Sequence, residues 1–212
     1  LRKLNQLTLV ASRVRTGAIK GERRSSRRGS SVEFADYRDY SPGDDLRRID
    51  WNIYARLERP FIKLLEEEED LAVHILIDGS QSMNWGEGDE NKFQYALSVA
   101  AGLGAITLAS GDVLTVGLLQ HGKVTAEFGP SRGQASLTRL FRFLERIEPD
   151  GETDLNRAMR DYSILPRRAG LVILISDLFA DDGYELGLRQ LMGRGHEAAL
   201  VHVLAPDELD PP

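Results

Sequence analysis

The chain has 212 residues, of which 42% are apolar and 28% are charged, and this composition is typical of a folded globular protein and excludes a disordered one. It contains no cysteine, which excludes disulfides, zinc–thiolate sites and cysteine nucleophiles and favours a reducing compartment, so we expect the cytoplasm. The net charge of −6 hides a contrast, because residues 1–63 carry 15 Lys and Arg against 8 Asp and Glu while the remainder is acidic. This contrast indicates two different faces, although an ordinary solvated surface would also produce it.

Residues 1–70 differ in pattern from the rest and form the first predicted domain, a loop-rich and partly β segment. Apolar residues at helical spacing predict an amphipathic helix near its start, at Leu4, Leu7, Val10, Ala11 and Val14. A basic loop follows, with candidate contacts to nucleic acid or another anionic surface at Arg23, Arg24, Arg27 and Arg28. No aromatic residue is interleaved among these arginines, so we favour a solvated loop and expect no nucleic-acid partner.

A block of alternating charges and aromatic residues follows from Glu33 to Arg56. Pro42-Gly43 predicts a turn, and Asp44 or Asp45 is expected to cap a short helix that runs through Ile49. Two interpretations of the charges stay open, namely a docking surface for a partner and an internal network of ion pairs. We favour the network, which would join Arg38, Arg47, Arg48 and Arg56 to Asp36, Asp44, Asp45 and Asp50. Trp51 and Tyr54 are predicted to be packing anchors.

Residues 71–212 form the second predicted domain, in which apolar strands alternate with helices. Strands are predicted near 71–77, 113–119, 123–128, 171–176 and 198–204. Helices are predicted over 91–110, from Leu137 to the stop at Pro149, from Asp154 onward and over 184–192. Since the strands are apolar throughout, the pattern predicts an α/β fold with a mostly parallel sheet and helices on both faces. His121-Gly122 between two strands predicts a hairpin that adds one antiparallel edge strand.

Oxygen-bearing side chains follow three of the predicted element boundaries. The run Leu71–Ile77 ends in Asp78-Gly79-Ser80-Gln81-Ser82, Asp177 closes the run that starts at Leu171, and Thr153 precedes a helix. Because ligands bind at the carboxyl ends of parallel strands, we expect these groups to lie close together. Hydroxyl and carboxylate oxygens suit a hard divalent cation, so the predicted metal ligands are Asp78, Ser80, Ser82, Thr153 and Asp177. Mg²⁺ is expected, with Mn²⁺ and Ca²⁺ possible, and the alternative is that these residues only shape turns.

These five residues resemble the metal-ion-dependent adhesion site (MIDAS) of von Willebrand factor A domains. The block from Arg28 to Arg56 resembles the hallmark of a bacterial and archaeal family, domain of unknown function 58, with one extra residue before Glu33. The resemblance implies a von Willebrand factor A-like, Rossmann-like fold for residues 71–212. It also implies a partner class, the MoxR-type AAA+ ATPases beside which such proteins are commonly encoded. Full members usually continue further, so we expect the second domain to be truncated at its C-terminus.

The resemblance and the residues together predict a non-enzymatic, Mg²⁺-dependent adaptor. With the ATPase it would assemble, remodel or insert metal into a client that offers a carboxylate to the cation. The alternatives are a Mg²⁺-dependent hydrolase, using Asp78 and Asp177 with Glu87 or Asp89, and nucleic-acid binding through the basic segment. No apolar run approaches the ~20 residues that a membrane-spanning helix needs.

Overall fold

A computed structural model of the chain describes residues 32–67, 70–152 and 154–209. These residues belong to two compact units, which divide between positions 69 and 70. The predicted N-terminal helix, the basic loop and Thr153 lie outside the described residues. In the part of the chain that is described, no helix is both long enough and apolar enough to cross a bilayer.

The smaller unit is a two-stranded antiparallel sheet with a helical connection. Its elements are β1 (Val32–Asp39), a 3-10 turn (Leu46–Arg48), α1 (Trp51–Leu57) and β2 (Phe61–Glu67). Asp45 caps the 3-10 turn through the amide of Arg47, and Asp50 caps α1, a helix that the sequence pattern did not predict. One pair of the preferred ion-pair network is present: the Arg38 guanidinium holds both carboxylate oxygens of Asp44 at 2.6 and 2.7 Å.

The larger unit is built on a five-stranded sheet in the order β5-β4-β3-β6-β7. The strands are β3 (Ala72–Asp78), β4 (Val113–Gln120), β5 (Lys123–Arg132), β6 (Leu171–Ser176) and β7 (Glu197–His202). All neighbouring pairs are parallel except β4 and β5, which form the predicted antiparallel hairpin. Its turn residues, His121 and Gly122, have φ of +52° and +69°, the left-handed conformation that two-residue hairpins use.

Helices cover both faces of this sheet, as the apolar strands predicted. They are α2 (Lys92–Ala109), α3 (Leu137–Leu144), α4 (Leu155–Ile164) and α5 (Glu185–Gly193), and a single helical turn, α6 (Pro206–Leu209), follows β7. Side chains of β3 alternate between the faces, so Ile75 and Ile77 pack in the core with α2 and α3, while Leu76 packs with α4 and α5. The central strands β3 and β6 are therefore buried on both sides, and their carboxyl ends emerge at one edge of the unit.

Helix α3 is shorter than predicted, since it ends at Leu144 rather than near Pro149. Beyond the helix the chain is bonded to other elements: the Glu148 carbonyl accepts from Gln120, and the Asp150 amide donates to the Gly79 carbonyl. Trp51 and Tyr54 were expected to be packing anchors, but they pack edge-to-face on each other and remain 61% and 44% exposed.

The buried histidine of β3, His74, links the sheet to α4. Its Nε2 lies 3.0 Å from the carbonyl of Arg168, an acceptor, so Nε2 carries the hydrogen and donates it. Nδ1 then accepts a hydrogen bond from the Tyr162 hydroxyl at 2.8 Å. The pKa of His74 is lowered to about 4, mainly by burial and to a lesser extent by His196 and Arg167, while the hydrogen bond to the Arg168 carbonyl opposes this shift. His74 is thus a neutral structural residue.

Acid is expected to destabilise the fold through His74. Because the pKa of His74 falls from 6.5 to about 4 on folding, the unfolded chain binds more protons between these two pH values. Stability is then fully present above about pH 6.5 and is lost as the pH falls towards 4, by about 3 kcal/mol in total. Urea unfolding of the wild type and of His74→Gln at pH 7 and pH 4 measures this, and equal pH dependence in both proteins would contradict it.

Candidate metal centre

The predicted metal-binding aspartate, Asp78, is the last residue of β3, the middle strand of the sheet. Its carboxylate is 2% exposed and accepts hydrogen bonds from the Ser80 amide at 3.0 Å and from the Ser176 hydroxyl at 2.5 Å. Burial raises the pKa of Asp78, and the neighbouring Asp177 carboxylate raises it as well. A buried carboxylate whose charged form is disfavoured in this way is the group that a bound cation would stabilise.

Two serine hydroxyls lie next to each other beside Asp78. The Oγ atoms of Ser80 and Ser82 form a hydrogen bond of 3.0 Å; Ser80 immediately precedes the 3-10 turn Gln81–Asn84 that follows β3, and Ser82 lies in it. Mg²⁺ holds its oxygen ligands at about 2.1 Å in an octahedron, so that adjacent ligands are about 3 Å apart. The spacing of the hydroxyls therefore matches one edge of such an octahedron, and the oxygen donors of this loop fit a hard divalent cation.

The loop that carries Thr153 is held against the Asp78 loop by main-chain hydrogen bonds. The Gln81 amide donates to the Gly151 carbonyl at 2.7 Å, and the Asp150 amide donates to the Gly79 carbonyl at 2.8 Å. Gly151 has φ of +64°, and a Cβ there would lie 2.2 Å from the His121 ring. Thr153 itself is outside the described residues, so its predicted role as a ligand stays a prediction.

Asp177, the remaining predicted ligand, directly follows β6 and is already bound on both oxygens. Its Oδ2 accepts from the Lys92 ammonium at 2.8 Å, and its Oδ1 accepts from the Phe179 amide at 3.1 Å. Lys92 is also 2.7 Å from Glu208, and both Lys92 and Asp177 are 1% exposed. Contact between Asp177 and a cation through a water molecule is compatible with these bonds, whereas direct coordination would have to share an oxygen with Lys92.

A cleft of about 530 Å³ opens over this loop. It is lined by Asp78, Ser80 and Ser82, by the hairpin turn at His121, by residues 151, 152, 154 and 157, and by residues 179–182. Among the described residues no group of three or more His, Asp or Glu side chains could hold a metal, so the predicted site depends on hydroxyl oxygens. Glu87, proposed as a hydrolytic acid, does not line the cleft, and the side chain of Asp89 lies outside the described part.

Sequence reasoning missed Gln120, which bridges the two loops of the candidate centre. This buried side chain donates from Nε2 to the Gly79 carbonyl at 3.0 Å and to the Glu148 carbonyl at 2.8 Å. Its Oε1 accepts from the Thr125 hydroxyl at 2.6 Å, which fixes the orientation of the amide. A Cβ at Gly79 would lie 2.8 Å from the Gln120 side chain, so glycine is required where the two meet.

Replacing Gln120 with leucine is expected to weaken cation binding. The Gly79 and Glu148 carbonyls would lose their hydrogen-bond donor, and the two loops would no longer be held at a fixed distance. We therefore expect the cation affinity to fall about 10- to 100-fold and the free energy of unfolding to fall by about 1–3 kcal/mol. Calorimetric titration with Mn²⁺ and urea unfolding measure the two effects. Gln94→Leu, on the exposed face of α2, is the matched control. A Gln120 variant that loses stability but keeps its cation affinity would show that the residue serves packing alone.

The larger unit has the architecture of a von Willebrand factor A domain: a mostly parallel sheet, helices on both faces, and Asp-x-Ser-x-Ser after the central strand. In fold it is similar to the von Willebrand factor type A structure from Catenulispora acidiphila, at 16% identity and a TM-score of 0.45, covering 65% of this chain and 34% of that one. It is also similar to the manganese-loaded TRAP protein of Plasmodium vivax, at 20% identity and a TM-score of 0.45, covering 62% and 56%.

The chain belongs to the family described as Protein of unknown function DUF58, whose model matches residues 36–212. This finding confirms the resemblance seen in the sequence. The chain is also 26% identical over 213 aligned residues to the uncharacterized proteins Rv1480 of Mycobacterium tuberculosis and Mb1516 of Mycobacterium bovis. The alignment covers 99% of this chain but spans only 66% of the length of those relatives.

Proposed function

We propose that the protein is a non-enzymatic protein-binding module that depends on a divalent cation, with Mg²⁺ as the expected ion. The observation that carries this proposal is the pair of Ser80 and Ser82 hydroxyls, 3.0 Å apart beside the buried carboxylate of Asp78. Thr153 and Asp177 would complete the ligand set. With so few charged ligands from the chain, a bound cation would keep a coordination position and enough Lewis acidity to take a carboxylate from another protein.

The hydrolase suggested by the sequence is not supported in its proposed form. A general base must lie within hydrogen-bond reach of the attacking water, and the proposed acid, Glu87, does not line the cleft. The open form of the cleft and its position at the carboxyl edge of the sheet suit the docking of a protein loop.

The partner that we propose is a MoxR-type AAA+ ATPase, with which the module would assemble, remodel or insert metal into a client protein. The basis for this partner is membership of the DUF58 family together with the partner class that the family resemblance implies. The client, in this proposal, supplies the carboxylate that reaches the cation in the cleft.

Binding to a purified MoxR-type ATPase from the same organism tests the proposal, by biolayer interferometry in Mg²⁺ and in EDTA. We expect the Kd for the ATPase to be at least about tenfold lower in Mg²⁺ than in EDTA, a difference of about 1.4 kcal/mol in binding free energy. In Mg²⁺, Asp78→Asn should bind as weakly as the wild type does in EDTA. Asp161→Asn, an exposed aspartate outside the candidate centre, is the control. Equal binding in EDTA would contradict the role of the cation, and no binding in either buffer would contradict the ATPase as direct partner.

A further inference from the structure

The cleft over the candidate metal centre carries far more negative than positive charge. Five carboxylates line it, at Asp78, Glu152, Asp154, Asp181 and Asp182, and the only Lys or Arg among its described lining residues is Arg157. A bound divalent cation together with Arg157 would offset three of these five charges. The cleft therefore stays acidic even when the centre is loaded.

Three of the carboxylates stand at the mouth of the cleft and are available to a ligand. The side chains of Glu152, Asp181 and Asp182 are exposed, and none forms an ion pair with a described residue. Elsewhere on the same unit, Asp70 and Glu127 are each held by two nitrogens of one arginine. Glu152, Asp181 and Asp182 thus keep negative charges that no ion pair with a described residue offsets.

These charges lie on both sides of the candidate centre. Asp181 and Asp182 follow β6, on one side of β3 in the sheet order. Glu152 lies on the other side, where its carbonyl accepts from the amide of His121 at the tip of the β4–β5 hairpin. A ligand that reaches the centre over Asp78 would consequently pass between Asp181 and Asp182 on one side and Glu152 on the other, where Arg157 also lies, next to Gly122 of the hairpin.

We propose that the partner segment is a carboxylate residue with lysine or arginine on both sides of it. This inference rests on the proposed function, because it assigns a charge pattern to the partner of that same centre. The carboxylate would reach the cation, and the flanking cations would meet Glu152 on one side and Asp181 and Asp182 on the other. Acidic peptides and nucleic acids, which bring many negative charges, would be repelled by the same three carboxylates.

Short fluorescent peptides test this charge pattern on the Mg²⁺-loaded protein by anisotropy. Each has one central aspartate, flanked by lysines, by serines or by glutamates. We expect the lysine-flanked peptide to bind at least about tenfold more tightly than the serine-flanked one at low ionic strength, with the glutamate-flanked peptide weakest. The differences should shrink as salt reduces the Debye length to about 8 Å and below.

A charge reversal at Asp181 and Asp182 tests whether the peptide preference comes from these two residues or from the net charge of the protein. In the double variant Asp181→Lys/Asp182→Lys we expect the preference for lysine flanks to disappear or to reverse. The control Glu145→Lys/Asp161→Lys makes the same change in net charge at exposed positions outside the cleft, and it should keep the wild-type order. Equal loss of preference in the control would overturn the inference.

The peptides also distinguish failure of this inference from failure of the proposed function. If all aspartate peptides bind equally and only in Mg²⁺, the inference on flanking charges is wrong and the metal-dependent module stands. If a lysine-flanked peptide with asparagine in place of the central aspartate binds equally well, the carboxylate is not recognised, and both are wrong. Absence of binding by every peptide, with Mg²⁺ bound, would also count against both.

Discussion

Replacing Ser80 and Ser82 together with alanine is expected to abolish cation binding while the fold is kept. The two hydroxyls are 3.0 Å apart and would supply two neighbouring positions of the coordination shell. Loss of a residue that only supports a metal ligand costs about 10- to 100-fold in affinity, so loss of two ligands should exceed about 100-fold. Calorimetric titration of Mg²⁺ and Mn²⁺ into protein treated with a chelator measures the effect.

The control for this double variant is Ser98→Ala/Ser163→Ala. Both of these hydroxyls bond to main-chain carbonyls within their own helices, α2 and α4, so their removal leaves the cleft unchanged. We expect wild-type affinity in the control and a cooperative urea transition in both variants. Saturable binding that persists in Ser80→Ala/Ser82→Ala would place the cation elsewhere, and a wild type without binding would contradict the metal centre itself.

Much of the fold follows from local patterns in the sequence. The apolar runs that end at Asp78 and Asp177 became the two central strands, because strands buried on both faces need apolar side chains on both faces. The first residues of two helices could also be predicted, since the side chains of Asn91 and Asp154 cap α2 and α4. The same logic placed Asp78 and Asp177 at the carboxyl edge of the sheet.

Contacts between distant segments could not be predicted from those patterns. Gln120 ends a strand and carries no motif, yet it bonds Glu148, 28 residues later, and so links two loops. The end of α3 was also misplaced, since the chain leaves the helix after Leu144 and Glu148 bonds to Gln120 instead. Helix α1 was missed because it is only seven residues long and buries none of its side chains, so it has no apolar face of helical period.

Lys92 is the residue whose environment differs most from what its type suggests. A lysine at the start of a helix is ordinarily solvated, but this one is 1% exposed between Asp177, which lies 85 residues later, and Glu208. Its ammonium also lies 5.0 Å from the centre of the Phe179 ring. The only local sign in the sequence is that it opens a helix that is otherwise nearly all apolar, and this sign does not identify its partners.

Replacing Lys92 with methionine is expected to lower the free energy of unfolding by about 3–5 kcal/mol, because the carboxylates of Asp177 and Glu208 would lose their counter-charge in a buried site. Urea unfolding in EDTA measures this. Lys123→Met, at an exposed position in the hairpin, is the control and should stay within about 0.5 kcal/mol of the wild type. A change in Lys92→Met as small as that of the control would contradict the importance of the buried pair.

The same variant should bind a divalent cation more tightly, so its stability and its cation affinity should change in opposite directions. Lys92 places a positive charge 2.8 Å from Asp177, and removing it leaves more negative charge for the cation to neutralise. A cation that binds only the folded state stabilises it by about 2.7 kcal/mol at 100 times its Kd. Saturating Mg²⁺ should therefore recover more stability in Lys92→Met than it adds to the wild type. Loss of affinity together with stability would contradict this and would mean that the ion pair holds Asp177 in position as a ligand.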